Sequence, residues 1–275
     1  MKRIFLLYVS LNILTIFAQD LSIQKKFADS LFKAEQYFDA ITEYKRLMFF
    51  DTTKTYAFIC NFNIGKCYKA GGKFDDAIKY FSMADIIAKN PDDKYQAKIE
   101  IIKSNLLRRT TERALQILYE MENSNEYYEK LDSLNYWRGW AYIFRDDWER
   151  AKYYFEKFQP GHELAKISDK VIKEKYSVTF AKVFSYIVPG AGQIYTGNYL
   201  SGIMSFGYNI LFGLLTAKAF SQDRIFDGIV IGGLLWLRFY RGNIQNAEKF
   251  AIEKNVSISN KVLNYLQYEY KGDKP

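Results

Sequence analysis

The sequence predicts an all-α chain: an α-solenoid of helical repeats followed by a transmembrane helical hairpin. A short motif returns every 37 residues between Ala40 and Ala151. No Asp, Glu, Lys or Arg stands anywhere in 183–217. The 275 residues contain only four prolines, which favours long helices over a many-stranded sheet. On this reading 1–18 is a signal peptide and 21–160 holds four repeats. A capping or linker helix occupies 161–182, a two-helix membrane domain 183–255, and a polar tail 256–275.

The chain opens "MKRIFLLYVSLNILTIFAQD". Lys2 and Arg3 form a positive start, 4–17 an apolar stretch, and Ala18 a small residue suited to the position before cleavage. The run is slightly short for a full span, so the alternative to a cleaved signal is a retained anchor. Either way the chain is directed to a membrane. The formal charge of +8 is unevenly placed. Residues 20–160 carry 23 Lys and Arg against 22 Asp and Glu, whereas 161–275 carry 14 against 9. The excess therefore flanks the apolar segment, as interfacial basic residues do. No Arg-rich arm or nucleic-acid motif accompanies it, so no nucleic-acid partner is expected.

The repeats read "FDAITEYKRL" from Phe38, "FDDAIKYFSMA" from Phe74, "TERALQILYEM" from Thr111 and "DWERAKYYFEKF" from Asp147. Their alanines are Ala40, Ala77, Ala114 and Ala151, and four residues after each comes Tyr44, Phe81, Leu118 or Phe155. Upstream, Gly65 and Tyr68 stand where Gly139 and Tyr142 stand relative to their own alanines. This pattern resembles the tetratricopeptide repeat, a helix-turn-helix of about 34 residues with small residues where helices approach and an aromatic four positions after the alanine. The resemblance covers 21–158 and is strongest in the second and fourth units. In the third, Ile102 and Asn105 replace the Gly and Tyr. The three extra residues per unit are assigned to longer turns, such as "NPDDK" after the second. "GHELAKISDKVIKEKY" from Gly161, with Leu164, Ile167 and Val171 in one stripe, is expected to cap the array.

The resemblance implies a concave groove, lined by the first helices, that takes a protein or peptide partner. Carried over position by position, the groove is expected to hold Phe62, Lys66 and Lys69, then Ile99, Lys103 and Leu106, then Tyr136, Trp140 and Ile143. The three lysines would make one wall basic and suit an acidic or carboxylate-bearing partner. Trp140 and Tyr136 are expected as aromatic anchors, as at many binding hot spots. The Lys and Asn pattern that some relatives use to clamp a C-terminal carboxylate is not reproduced.

In the apolar third, 199–217 supplies 19 uncharged residues, near the length that spans a bilayer core. A second apolar stretch, "IFDGIVIGGLLWLRFY", follows after "KAFSQDR". It is marginal alone and credible as the second arm of a hairpin, although a buried hairpin in a soluble domain would show the same pattern. Gly228 and Gly232 form a G-x-x-x-G for close helix pairing. Tyr195, Tyr199, Trp236 and Tyr240 fall near the ends, where interfacial aromatics belong. Asn209, midway along the first arm, is expected to hydrogen-bond across to the second.

The arm is preceded by "VPGAGQIYTGNYLSG". A dinucleotide fingerprint would need Gly where Tyr195 stands, and a P-loop would need Lys and Ser or Thr where Asn198 and Tyr199 stand. A phosphate cradle is thereby excluded. The stretch instead resembles the P-G-x-G-Q-x-Y motif that opens two-helix membrane domains of bacterial envelope proteins, and "FYRGNIQNAEKFA" from Phe239 resembles the end of such domains. In those relatives the domain often follows a signal peptide and helical repeats. The resemblance implies membrane placement and no particular chemistry. Physically, Pro189 ends the preceding helix. Gly190 and Gly192 allow a tight elbow, and Gln193 and Tyr195 can bond backbone groups exposed there.

Exported repeats with an even number of spans leave both flanks outside. Yet Lys170, Lys173, Lys175, Lys182, Arg238 and Arg241 flank the hairpin, against Lys218 and Arg224 in its loop, which favours the opposite orientation. The signal peptide, as the first segment, is given the greater weight. Cys60 and Cys67 lie seven residues apart on one helix, about 10.5 Å in rise, too far for a disulfide that needs Cα atoms within about 7 Å. His162 is the only histidine and has no ligand partners in sequence. The acidic pairs Asp75–Asp76 and Asp146–Asp147 fall at helix starts, where Asp caps. No enzyme, metal or cofactor is therefore expected. The expectation is a scaffold at a bacterial cell membrane, with repeats on the periplasmic side that recruit a protein partner and a hairpin that contacts lipid. Envelope assembly, secretion or membrane-protein insertion are its settings by analogy. The alternative is an accessory subunit of a small transporter or channel, with the hairpin as the working part. The oligomeric state is not legible.

Overall fold

A computed structural model describes residues 20–275, so the expected signal peptide at 1–18 lies outside the described residues. Every element is helical, and no strand occurs among the described residues. Two compact units form, one ending at Ala165 and including Asp273–Pro275, the other running Lys166–Gly272.

The first unit contains four helix pairs. They are α1 (Leu21–Lys33) with α2 (Tyr37–Phe50), α3 (Ala57–Ala70) with α4 (Phe74–Ile87), α5 (Pro91–Leu107) with α6 (Thr111–Glu122), and α7 (Leu131–Phe144) with α8 (Trp148–Phe158). Each helix packs on the next along the chain, the one-dimensional stacking expected of a solenoid. The periodic residues explain why. Ala40, Ala77, Ala114, Ala151, Tyr44, Phe81, Leu118 and Phe155 are all fully buried. A Cβ at Gly65 would sit 2.7 Å from the Phe81 ring, and one at Gly139 would sit 2.7 Å from the Phe155 ring. The aromatic therefore lies on the glycine of its own unit, and the glycine is required by that close approach. Burying each such ring contributes about 1.5–3 kcal/mol.

The turns within the units carry a second periodicity. Glu35, Gly72, Arg109 and Asp146 have φ of 60°, 70°, 68° and 61°, and they too lie 37 residues apart. Around each, two amides close the preceding helix: Glu35 N to the Phe32 carbonyl and Gln36 N to the Leu31 carbonyl, with the same pair of bonds at the other three turns. This is the Schellman ending, which satisfies carbonyls that a helix terminus leaves open. Only Gly72 uses the residue that adopts this conformation freely. The extra residues in the third unit lengthen a helix rather than a turn. Asn90 caps α5 through Asp93 N at 2.7 Å, Pro91 opens it, and α5 runs 17 residues.

α9 (Glu163–Glu174) carries the boundary between the units. The second unit continues with α10 (Val178–Ile187), capped by Ser177, the short α11 (Ala191–Tyr195), and α12 (Tyr199–Ser221). α13 (Ile225–Val230) passes through π-helical turns (Ile231–Trp236) into α14 (Leu237–Tyr268). α12 and the helix after it form an antiparallel hairpin, and α10 and α11 pack on α14. Its boundaries differ from those read in sequence. "KAFS" belongs to α12, and the reversal is confined to residues 222–224. Nothing divides the chain at 255, because no Gly or Pro occurs between Asn243 and Lys271, and α14 buries a stripe of Ile244, Ala247, Ala251, Ser259 and Leu266. Most of the tail expected at 256–275 is therefore helix.

Among the described residues the Glu35 side chain makes no hydrogen bond or ion pair that its replacement would lose, so Glu35→Gly is expected to stabilise the repeats by about 1 kcal/mol and Gly72→Ala to destabilise them by a similar amount. Denaturant unfolding of the full chain measures both. Equal midpoints would show that the left-handed turns are not strained.

Candidate functional site

The expected groove lies on α3, α5 and α7. Its aromatic members are not available as anchors: Phe62, Tyr136 and Trp140 are 6%, 7% and 3% exposed. Phe62 meets the Phe81 ring at 5.6 Å and Tyr136 meets the Phe155 ring at 5.7 Å, so the rings that fill each unit draw them inward. Ile99, Leu106 and Ile143 are buried as well.

What remains on this face is charge. The Glu100 carboxylate on α5 accepts from Lys69 Nζ on α3 at 2.8 Å and pairs with Lys103 Nζ at 3.0 Å. Lys66 Nζ stands 4.7 Å over the Phe62 ring, and Lys103 Nζ stands 4.5 Å over the Trp137 ring. Two ammonium groups thus share one carboxylate, and a third, Lys66, is near enough to repel Lys69. Burial raises the Glu100 carboxyl, but the two lysines outweigh it and hold the group below its ordinary value. Lys69 also falls below its ordinary value. Burial is the largest cause, Glu100 works against it, and Lys103 and Lys66 add repulsion. The two shifts agree physically: the carboxylate is over-supplied with cations, and each cation is under-supplied with carboxylate.

Two features of this unit carry no signal in the sequence. The Tyr136 hydroxyl donates to the Asp273 carbonyl, so the end of the chain lies on the first helix of the fourth repeat. His162 stacks on Phe155 at 5.9 Å and meets the edges of Tyr136 and Phe158, while its Nδ1 accepts from Leu164 N at 3.2 Å. Burial pushes its pKa down, which keeps the acceptor nitrogen unprotonated. The histidine is a cap and a packing residue. Cys60 and Cys67 are free and buried, and burial pushes both thiols up to about 12. Asp147 caps Arg150 N at 3.1 Å.

In the second unit the elbow is organised by Asn243 on α14, 2% exposed, which the sequence reading did not single out. Its Oδ1 accepts from Gly190 N at 2.7 Å, Gln193 Nε2 at 3.0 Å and Ser205 Oγ at 3.0 Å. Its Nδ2 donates to the Ser185 carbonyl at 2.9 Å, and Gln193 Nε2 also reaches the Asn243 carbonyl at 3.0 Å. One side chain thereby ties α10, α11 and α12 to α14. Pro189 follows the end of α10, and Gly190 has φ +91°. A Cβ on Gly190 would lie 2.2 Å from the Gly202 carbonyl oxygen; one on Gly192 would lie 2.3 Å from that of Ala181. The Tyr195 hydroxyl accepts from Ser177 N at 3.2 Å. The available signal was a polar residue inside "FYRGNIQNA", but only the folded chain shows which of its polar residues turns inward.

Gly228 and Gly232 face α12: a Cβ on the first would meet the Phe220 ring at 2.8 Å and one on the second Thr216 Cγ2 at 2.9 Å. Asn209 does not bond across the hairpin. Its Nδ2 donates to the Ser205 carbonyl of its own helix at 2.7 Å, and its buried Oδ1 has no partner among the described residues. Its position one turn beyond Ser205 makes the intrahelical acceptor nearer than any on the second arm. Among the described helices, α12 alone is long and apolar enough to cross a membrane, with a mean hydropathy of 1.4 over its best stretch, of which only 11% is buried. The second arm does not qualify, since Arg238 and Arg241 follow its apolar centre within two turns.

Val at Gly190 or Gly192 is expected to prevent the second unit from folding, because each Cβ meets a backbone carbonyl that no side-chain rotation can clear. Asn243→Leu leaves the buried Gly190 amide without its acceptor, at about 1–3 kcal/mol, and removes one acceptor from Gln193 Nε2 and from Ser205 Oγ. Limited proteolysis of the full chain in detergent reads both, and wild-type resistance in either variant would contradict this role for the elbow. Acid should weaken the repeats in two steps. The folded His162 value lies below the unfolded one, so its contribution is complete above about pH 6.5 and is lost as pH falls below that. The Glu100 contribution is complete above about pH 4.3 and is lost as pH falls through its lower folded value. Unfolding midpoints against pH should show both steps, and His162→Gln should remove only the first.

The family model of the tetratricopeptide repeat matches residues 60–92 and 132–159, the second and fourth helix pairs. No curated protein and no solved structure matches the chain. The chain is thus an all-α protein that carries tetratricopeptide repeats, modules whose general role is to bind other proteins.

Proposed function

We propose that this chain is a membrane-anchored scaffold rather than an enzyme, whose repeats hold an acidic segment of a protein partner. The observation that carries the reading is the lysine cluster. Lys66, Lys69 and Lys103 line one face, only Lys69 and Lys103 share the Glu100 carboxylate, and the aromatics beneath them are already used as core. A second carboxylate from a partner would relieve the repulsion among the ammonium groups, and partly buried charge pairs of this kind set specificity and encounter rate. The anchoring half of the reading rests on α12, whose apolar surface is uncovered. Leu200, Ile203 and Leu214 are 74%, 64% and 65% exposed, and Phe226 and Leu234 on the following arm are 78% and 66% exposed. An apolar surface this continuous calls for lipid or another apolar cover. The arms pair through Gly228 and Gly232, so α12 carries the second arm into the same environment. The N-terminal sequence, Lys2 and Arg3 before an apolar run, supports an exported position for the repeats at a bacterial cell membrane.

Two measurements test this. A photoreactive residue at position 66, used in cells, should capture a protein segment rich in Asp and Glu. Lys69→Glu with Lys103→Glu should lower that yield at least about tenfold, a change of 1.4 kcal/mol. Capture unaffected by the charge reversal would remove the acidic-partner reading. Protease added to intact spheroplasts should degrade the repeats; repeats left whole would place them on the cytoplasmic side.

A further inference from the structure

The second unit contains an open cleft of about 920 Å³ between the first half of α12 and the start of α14. Arg238, Arg241 and Asn246 line it together with Leu200, Met204, Tyr208 and Leu234. Tyr208 stacks on Phe239, between the two arginines, and Met204 adjoins Ser205, which bonds Asn243, so Leu234 stands on the hairpin-tip side of both arginines. No Asp or Glu borders it. Arg238 and Arg241 are three residues apart on one helical face, and neither side chain makes an ion pair or hydrogen bond among the described residues. Other basic groups nearby in sequence are engaged: Lys182 pairs with Glu248 at 2.8 Å and Arg224 pairs with Asp227. The free guanidiniums are therefore particular to the cleft.

From Arg238 toward the hairpin tip the exposed surface is apolar, with Leu234, Ile229 and Phe226 on one arm and Leu214 on the other. From Arg238 to Phe226 is twelve residues of sequence, a rise of roughly 18 Å. Half of a bilayer's hydrocarbon core is about 15 Å. The arginines lie on the elbow side of this stretch. A wall of this length, with two unpaired cations at one end and apolar side chains at the other, is complementary to one amphiphile standing upright in a single leaflet. Guanidinium forks match phosphate oxygens in shape as well as charge.

We propose that this cleft holds one anionic glycerophospholipid, its phosphate on Arg238 and Arg241 and its acyl chains running past Leu234 toward the hairpin tip. The proposal rests on membrane placement of the hairpin. Beside the bound lipid, Asn243 holds the elbow, so a seated lipid covers the same α12–α14 seam that the elbow network closes from within.

The test uses the full chain in nonionic detergent with equimolar phosphatidylglycerol and phosphatidylcholine, read by native mass spectrometry. Wild type should retain phosphatidylglycerol at least about tenfold better, the fold-change equivalent to about 1.4 kcal/mol. Arg238→Gln with Arg241→Gln should lose that preference while still floating with phosphatidylcholine vesicles, which reports intact insertion. Arg238→Lys with Arg241→Lys should keep most of it. Equal retention of the two lipids by wild type, or a preference that survives the double Gln substitution, overturns the site. Displacement of phosphatidylglycerol by glycerol phosphate assigns the cleft to a soluble anion and overturns it too. Wild-type protein that floats with no vesicle overturns the membrane reading and the lipid site together, whereas flotation without headgroup preference overturns the lipid site alone.

Discussion

The structure depends on reversing a helix within about three residues, because an amphipathic helix gains little until its apolar stripe meets another. A residue in the left-handed region makes this reversal at residues 35, 72, 109 and 146, and again at Gly197 and Asp223. Each time that residue's own amide and the next one return to carbonyls of the helix just ended, so the terminus is satisfied without a long loop. The same device closes units of the solenoid and the tip of the apolar hairpin. With the turn length held constant, the alanine and aromatic of each repeat arrive opposite the preceding helix in the same register, and the 37-residue period follows.

That register also decides what the repeat surface can offer. Tight pairing of α3 with α4 and of α7 with α8 needs large rings on small residues, and the rings recruit neighbours from the first helices. Phe62, Tyr136 and Trp140 are consumed in this way. The lysines between them set their ammonium groups over aromatic faces, Lys66 on Phe62 and Lys103 on Trp137, or against Glu100. A face built of core-bound aromatics and partly buried lysines offers charge rather than an apolar anchor. Glu100 keeps the cluster from self-repulsion and leaves it in positive excess.

In the second unit one amide side chain plays the part that periodic packing plays in the first. α11 is five residues long and has too few backbone bonds of its own to hold a sharp change of direction. Asn243 supplies the missing partners from α14, accepting from a backbone amide, an amide side chain and a hydroxyl while donating to a carbonyl. A buried polar network fully satisfied in this way specifies a single arrangement, since any slip leaves donors unpaired in an apolar setting. Gly190 and Gly192 are the other half of that constraint, because the backbones they allow to touch are what bring the donors within reach.

The helical class, the repeat spacing and the residues of the elbow turn were legible in the sequence, because each is a local or periodic property. Ala at a fixed interval, an aromatic four residues on, and Gly beside Pro state their requirements within one or two turns of chain. The partners of those residues were not legible. Nothing local distinguishes Asn243, which closes the elbow, from Asn246, which faces the cleft three residues later, or marks Asn209 as bonding its own helix. The left-handed positions at Glu35, Arg109 and Asp146 were equally hidden, since their residue types do not announce φ above zero. Sequence by itself therefore determined that helices form, how often they repeat and where an apolar surface without charge must find cover. Tertiary structure alone decided which aromatics are core, which lysines share Glu100 and which polar atoms meet. Those outcomes depend on distances between residues 31 to 58 positions apart, set by the summed geometry of every turn between them.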